Sequence, residues 1–201
     1  MAMTQSPYGL RAVNELGGLP YAGSTRQFLI DPAGVATNIF NGSIVRINTD
    51  GYIQLVTNVG SAADQFPAGT IGVFVGCSFV NAQGQQVYQQ YYPSGYVAPT
   101  NTSIVAYVVD DDRAVFQVQS TGQLTQTALG GNIALSAAQS TSTGSTLNGN
   151  SSSAVGTTTA ATSGIAFRVI GFASPLTDTY TDVLVKFNPG AHSYTNATGV
   201  A

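Results

Sequence analysis

The run Asp110-Asp111-Asp112 is the densest group of charged side chains in the sequence, and three adjoining carboxylates could hold a calcium or magnesium ion. The alternating ligand spacing of a calcium-binding loop is absent, and no Glu follows at a suitable distance. Because the run lies between two strand-like segments, 103–109 and 114–119, we interpret it as a surface turn that Arg113 partly neutralises. A salt bridge between subunits is the main alternative, ahead of a metal site.

The other groups that commonly carry catalysis are scarce. His192 is the only histidine, and it lies in a stretch rich in Gly and Asn that is typical of a terminal segment on a surface. Glu15 is the only glutamate, so a catalytic pair of carboxylates would have to consist of two aspartates. Lys186 is the only lysine, and it does not lie in a phosphate-binding loop motif. Cys77 is alone too, which excludes an intrachain disulfide and favours a small buried side chain. The sequence therefore predicts no enzyme, no catalytic residue, no cofactor and no metal.

Four tyrosines form the main aromatic group: Tyr88, Tyr91, Tyr92 and Tyr96. Tyrosine rings can stack on sugars or on nucleic-acid bases. The lack of neighbouring basic residues argues against nucleic acid. Packing in a core or interface is our first interpretation, and carbohydrate contact is the alternative.

The amino-acid composition indicates what kind of surface the folded chain has. Among the 201 residues, 6 are Lys or Arg and 9 are Asp or Glu, so only 7% are charged while 43% are hydrophobic. Soluble domains average roughly 25% charged residues, so this surface is typical of a chain covered by partners. The net charge of −3 argues against binding to a phosphate backbone. The longest apolar run, 71–80, is far shorter than the roughly 20 residues that span a bilayer.

Short runs of β-branched and aromatic residues, separated by Gly, Asn and Pro, predict an all-β fold. The runs cover 44–48, 53–57, 71–80, 86–92, 103–109, 114–119, 165–172 and 182–187. Asp50-Gly51 predicts a hairpin between the first two runs, and residues 81–84 predict a longer one between the third and fourth. Gly69, Gly72 and Gly76 indicate that the third run bends. We expect a small β-barrel or β-sandwich, formed by a single β domain over 37–194.

Residues 1–36 contain many Gly and Pro without helical periodicity, which predicts an extended N-terminal arm. The aromatic and basic side chains in this arm are candidate partner-interface residues: Tyr8, Arg11, Tyr21, Arg26 and Phe28. Because such an arm buries little by itself, deleting it is expected to leave the β domain folded and to abolish binding to a partner.

Residues 136–164 are a low-complexity insertion of 8 Ser, 7 Thr, 5 Ala and 4 Gly with five other residues. This long Ser/Thr/Gly/Ala-rich inserted loop resembles a flexible linker, but we expect it to lie against the domain itself or against a neighbouring copy. Residues 195–201 are predicted to be a C-terminal tail.

Several stretches resemble small virion structural proteins of tailed bacteriophages, particularly marine ones. They are SPYGLRAVNELGGLPYAGSTRQFLI at 6–30, TNIFNGSIVRI at 37–47, SIVAYVVDDDRAVFQVQ at 103–119, and FRVIGF with YTDVLVKFNPGAHSY between 167 and 194. The insertion contributes nothing to this resemblance. In such proteins an arm precedes a β domain that sits on the capsid.

The resemblance implies a capsid decoration or cement protein that bridges subunits of the major capsid protein, as a homotrimer, without contact to nucleic acid or membrane. It places the chain on the capsid exterior of the virion. Synthesis in the host cytoplasm is expected, because residues 1–20 lack the basic start and apolar centre of a signal peptide. The alternative function is a receptor-binding or fibre-like virion protein that contacts host glycan through its tyrosines.

Overall fold

The computed structural model describes residues 4–200, and this part of the chain is nearly all β. Its strands are β1 (Arg11–Glu15), β2 (Arg26–Ile30), β3 (Ile39–Phe40), β4 (Ile44–Ile47), β5 (Ile53–Leu55), β6 (Thr70–Val80), β7 (Gln86–Gln89), β8 (Tyr91–Tyr92), β9 (Ile104–Val109), β10 (Ala114–Gln119), β11 (Asn132–Ile133), β12 (Phe167–Phe172) and β13 (Asp182–Phe187). Two short 3₁₀ helices occupy Gln126–Ala128 and Ser193–Thr195. Neither of these helical segments has the length and apolar character needed to cross a membrane.

The strands form two main antiparallel sheets. The first sheet has the order β1-β10-β13-β12-β11, and the second has the order β2-β9-β6-β4-β5. In the second sheet β7 also pairs with the C-terminal half of β6, and a separate small sheet joins β3 to β8. The architecture is sandwich-like, with no closed barrel within residues 4–200, so the all-β prediction is confirmed in its sandwich form.

Two hydrophobic clusters form the core of the molecule, one on each face of the second sheet. In β13, Val183, Val185 and Phe187 are buried while the alternate residues are half-buried, as expected for a strand with one face toward a core. These side chains join a first cluster to which β4, β6 and β9 of the other sheet also contribute, so this cluster lies between the two sheets. The second cluster lies on the opposite face of β6, which explains why almost all of β6 is buried.

The bend predicted in the third run is present in β6, although no barrel requires it. Gly72 has a φ of +148°, and a Cβ atom there would lie only 2.0 Å from the carbonyl oxygen of Val109. Only glycine fits this position without moving β9. Both predicted hairpins also form, since β4 pairs with β5 around Asp50-Gly51 and β6 pairs with β7 around 81–84.

The N-terminal segment is not a separate arm, and this corrects the expectation for 1–36. Its strand β1 pairs with β10 in the first sheet, and β2 pairs with β9 in the second. Leu10 and Ile30 are both only 1% exposed, each within a different hydrophobic cluster. The segment is extended as predicted, but it buries itself by completing an edge of each sheet.

The 136–164 insertion is held by the domain itself, which was one of the two expected arrangements. Val155 is fully buried, donates its backbone N–H to the Gln119 carbonyl and accepts from Thr121 N–H. Farther along, the backbones of Asn132 and Ala160 exchange two hydrogen bonds. Small side chains allow this close backbone approach, so a sequence that resembles a linker forms an ordered layer.

The N-terminal part of the insertion is anchored by a buried side-chain amide. Gln139 is 1% exposed, and its Oε1 accepts from Ile44 N–H at 2.9 Å while its Nε2 donates to the Val56 carbonyl at 2.8 Å. It also bonds the Ile44 carbonyl and the Ser153 hydroxyl. These four bonds use both donors and both acceptor positions of the side chain.

Candidate binding groove

Two β-bulges open a groove between the sheets. In β1, Val13 is the extra residue between the paired Ala12 and Asn14, and in β6 Val75 is the extra residue between Phe74 and Gly76. Bulges bend a strand and redirect a side chain, and they occur often beside functional sites. Here the Val75 side chain turns into a depression of about 440 Å³.

We call this depression the inter-sheet groove. Its bottom is the edge of the first hydrophobic cluster, formed by Leu10, Val73 and Val109. The remaining lining consists of residues from the N-terminal segment, from β6 and its neighbours, and from the insertion: Arg11, Ala12, Tyr21, Gly23, Thr25, Asn41, Val75, Gln90 and Asn150. The groove therefore combines an apolar bottom with a polar rim.

Arg11 connects the groove to a second depression of about 430 Å³, which Tyr8 and the serine-rich part of the insertion line. The Arg11 guanidinium lies over the Tyr8 ring at 4.7 Å from its centroid. This cation–π contact places the guanidinium against the tyrosine ring. Asn150 also lines both depressions, so Arg11 and Asn150 form the ridge between them.

The polar side chains of the rim differ in whether they form hydrogen bonds with other residues of the chain. Asn41 donates its amide to the Val75 carbonyl at 2.9 Å. Arg11, Gln90 and Asn150, by contrast, make no side-chain hydrogen bond to any residue of 4–200. Three side chains with free hydrogen-bonding groups thus converge on one groove.

Tyr21 forms the wall of the inter-sheet groove that is nearest to the Asp110–Arg113 turn. Its backbone N–H donates to the carbonyl of the bulged Val13 at 3.2 Å, and its hydroxyl donates to the Ser24 carbonyl. Burial raises the pKa of Tyr21, and the carboxylates of Asp111 and Asp110 raise it further. The tyrosine is therefore a neutral, fixed wall of the groove.

The Asp110–Arg113 segment is a surface turn, as the sequence indicated, but it connects different sheets. It leads from β9 in the second sheet to β10 in the first. The Asp111 carboxylate accepts from the Arg113 backbone N–H at 2.8 Å, which stabilises the turn. Among the described residues no group of three His, Cys, Asp or Glu side chains is arranged to hold a metal ion.

The partner of Asp110 is Arg26 of the same chain, and not Arg113. Arg26 Nε lies 3.1 Å from Asp110 Oδ2, and this is the only ion pair within 4–200. Tyr194 donates its hydroxyl to the same carboxylate oxygen at 2.7 Å, and burial together with Asp110 raises the pKa of Tyr194 to about 12. The Arg113 side chain instead donates to the Leu16 carbonyl at 3.4 Å. One carboxylate thus joins the N-terminal segment, the turn and the C-terminal segment.

The structure brings together three of the five candidate interface residues. Tyr8, Arg11 and Tyr21 surround the inter-sheet groove and the depression beside it. Arg26 lies in the ion pair with Asp110, and Phe28 is half-buried against the second hydrophobic cluster. Whether any of the five contacts a partner stays a prediction.

The tyrosine group is used mainly for packing. Tyr92 is fully buried, Tyr91 stacks on Phe40 with ring centroids 5.6 Å apart, and Tyr96 lies 4.4 Å from Phe79. Tyr88 alone of the four is strongly exposed, at 72%. The four rings therefore do not form one sugar-binding platform.

His192 and Cys77 are both buried. His192 lies edge-on to Phe187, and its Nδ1 accepts from Tyr194 N–H at 3.3 Å. Burial raises the pKa of the Cys77 thiol to about 12, so the thiol is protonated and unreactive at neutral pH. Both side chains serve the core, as the sequence indicated for Cys77.

The burial of His192 predicts a pH-dependent stability. Burial lowers its pKa below the ordinary value of 6.5, against the opposing effect of the Asp110, Asp111 and Asp112 carboxylates. As the pH falls, His192 therefore takes up a proton in the unfolded chain before it does so in the folded one. The contribution of His192 to the free energy of unfolding is full above pH 6.5 and decreases below it, by at most about 1.4 kcal/mol per pH unit. Urea unfolding of the native chain and of His192→Gln between pH 7.5 and 5.5 measures this slope. An equal slope in both proteins would contradict the assignment.

Comparison with known proteins identifies no related protein. No family model, no curated protein and no solved structure matches this chain. The groove and the surface around it are therefore interpreted from their own chemistry.

Proposed function

We propose that this chain is a non-enzymatic structural protein of a tailed-phage virion, which decorates the capsid exterior and bridges major capsid protein subunits. The observation that supports it most is the nearly uncharged surface. The folded chain exposes 9347 Å², so there is about one charged side chain per 600 Å². Interface cores are depleted in charge in the same way.

Exposed apolar side chains support the same proposal. Leu147 at the tip of the insertion is 98% exposed, and Leu19 in the β1–β2 connection is 63% exposed. Both lie in connections outside the strands of the two sheets. Such side chains lose contact with water when a neighbouring subunit covers them, and this contributes to association.

A bridging protein stabilises the assembled state more than the free one. Contacts that exist only on the shell favour the intact particle by mass action. Because the N-terminal segment belongs to both sheets, the bridging surface would be the rigid edge of the sandwich and not a freely draping arm. A trimer would place three such edges where capsid subunits meet.

Quantitative mass spectrometry of purified particles tests the proposal. We expect this chain to be present at an abundance of the same order as the major shell protein. Abundance of only a few copies per particle would contradict shell-wide decoration and indicate a tail, portal or fibre position. Absence from the particle would overturn the virion proposal.

A receptor-binding virion protein that contacts host glycan is the second candidate. The inter-sheet groove favours it, because an apolar bottom with amide and guanidinium groups at the rim suits a sugar. The buried Tyr92 and the packed Tyr91 do not provide such a site.

A further inference from the structure

We propose that the inter-sheet groove binds an acidic saccharide, whose carboxylate pairs with Arg11 and whose ring lies on Val75 and Tyr21. In this arrangement Gln90 and Asn150 bind the sugar hydroxyls. The inference rests on the second candidate function and names its ligand class. It is independent of capsid decoration, so the two can fail separately.

The charge distribution indicates an anionic ligand. The chain has nine carboxylate side chains and six basic ones, yet neither the groove nor the adjoining depression is lined by a carboxylate. Both are lined by Arg11, which has no ion pair within 4–200. Because the Arg11 side chain makes no hydrogen bond within 4–200, its N–H groups are free for the paired hydrogen bonds that a carboxylate accepts.

The polarity of the lining indicates a sugar. A pyranose ring presents C–H groups on its faces and hydroxyls around its edge. Val75 and Tyr21 supply an apolar surface for the face, and the side chains of Gln90 and Asn150 have free donors and acceptors for the edge. The volume of about 440 Å³ lies within the range of small-ligand sites.

The groove is already formed in the free protein. The Asn150 backbone is held by its own N–H, which donates to the Asn148 side chain at 2.9 Å. It is also held through its neighbours, since the Gly149 carbonyl accepts from Asn41 N–H and Ser151 N–H donates to the Asn41 carbonyl. Val75 is placed by the β6 bulge, and Tyr21 by its bond to Val13. A backbone that is already in place before binding lowers the entropy cost of ordering when the ligand arrives.

Titration calorimetry and NMR shift mapping of the full chain test this site with three acidic probes: trigalacturonate, trimannuronate and 3′-sialyllactose. Galactotriose and lactose are the neutral probes, and an Asp-Asp-Asp peptide is the non-sugar carboxylate probe. The variants are Arg11→Gln and Asn150→Ala, with Arg46→Gln as the matched control, because Arg46 lies on β4 away from the groove. Thermal unfolding of each variant shows that it is folded.

We expect at least one acidic saccharide to bind, with shifts at Val75, Gln90 and Asn150. Arg11→Gln should weaken binding at least about tenfold, since it removes a charge-assisted hydrogen-bonding partner. Asn150→Ala should weaken it less, and Arg46→Gln should leave it unchanged. Lack of binding by all three acidic saccharides, equal binding of the neutral sugars or of the peptide, or binding that Arg11→Gln does not weaken would overturn the proposal.

Discussion

A chain that begins at residue 37 is expected not to fold. The deletion removes β1 and β2, the strands that cover an edge of β10 and of β9. It also removes Leu10 and Ile30 from the two hydrophobic clusters, and full burial of each side chain contributes about 1.5–3 kcal/mol. Together with the lost strand pairing, this loss is comparable to the roughly 5–15 kcal/mol that stabilises a typical domain.

The control for this deletion is a chain that lacks only residues 1–5. Residues 4 and 5 are exposed, whereas Ser6 donates its backbone N–H to the Gln119 side chain at 2.9 Å. This shorter deletion should keep a native circular-dichroism spectrum and a cooperative unfolding transition, and the longer one should show neither. A cooperative transition in the 37–201 chain would restore the separate-arm interpretation.

This expectation limits how partner binding can be tested. If the long deletion unfolds the chain, loss of binding to a capsid shell would report on folding and not on the N-terminal surface. Point changes at Tyr8, Arg11 or Tyr21 leave both strands in place, so they are the better probes of that surface.

Strand positions could be predicted because they depend on local pattern. The run at 114–119 coincides with β10, and the run at 182–187 coincides with β13, since alternating and β-branched residues suit a half-buried pleated surface. The sheet to which each strand belongs could not be predicted. Residues 110–113 were interpreted as a simple turn, yet the strands on either side pair with different partners in different sheets.

The N-terminal strands were missed for a related reason. RAVNE and RQFLI are only five residues long, and their stability comes from pairing with β10 and β9, more than seventy residues away. The groove was missed because it depends on two bulges and on residues as distant as Arg11 and Asn150. The signal that the sequence did contain was the presence of Arg11 and Tyr21 in a chain with few charges.

Gln139→Ala is expected to lower the free energy of unfolding by about 3–5 kcal/mol. The change leaves the buried Ile44 N–H and the Val56 carbonyl without the partner that Gln139 provides, and each orphaned group costs about 1–3 kcal/mol. The Ile44 carbonyl keeps its bond from Val56 N–H and contributes less. Urea unfolding gives the difference directly.

The matched control is Gln126→Ala, because Gln126 is exposed and its side chain makes no hydrogen bond to residues 4–200; it should change stability by less than about 0.5 kcal/mol. Comparing Gln139→Ala with Gln126→Ala shows whether the insertion unfolds together with the two sheets. In a sequence of Ser, Thr, Ala and Gly, no other side chain of 136–164 bonds to the backbone of β4, so Gln139 carries the link between this layer and the second sheet. A cost below about 1 kcal/mol would mean that the insertion detaches without unfolding the sandwich. A cost in the expected range would mean that a segment with the composition of a linker unfolds together with the sandwich and that its buried amide contributes substantially to the stability of the domain.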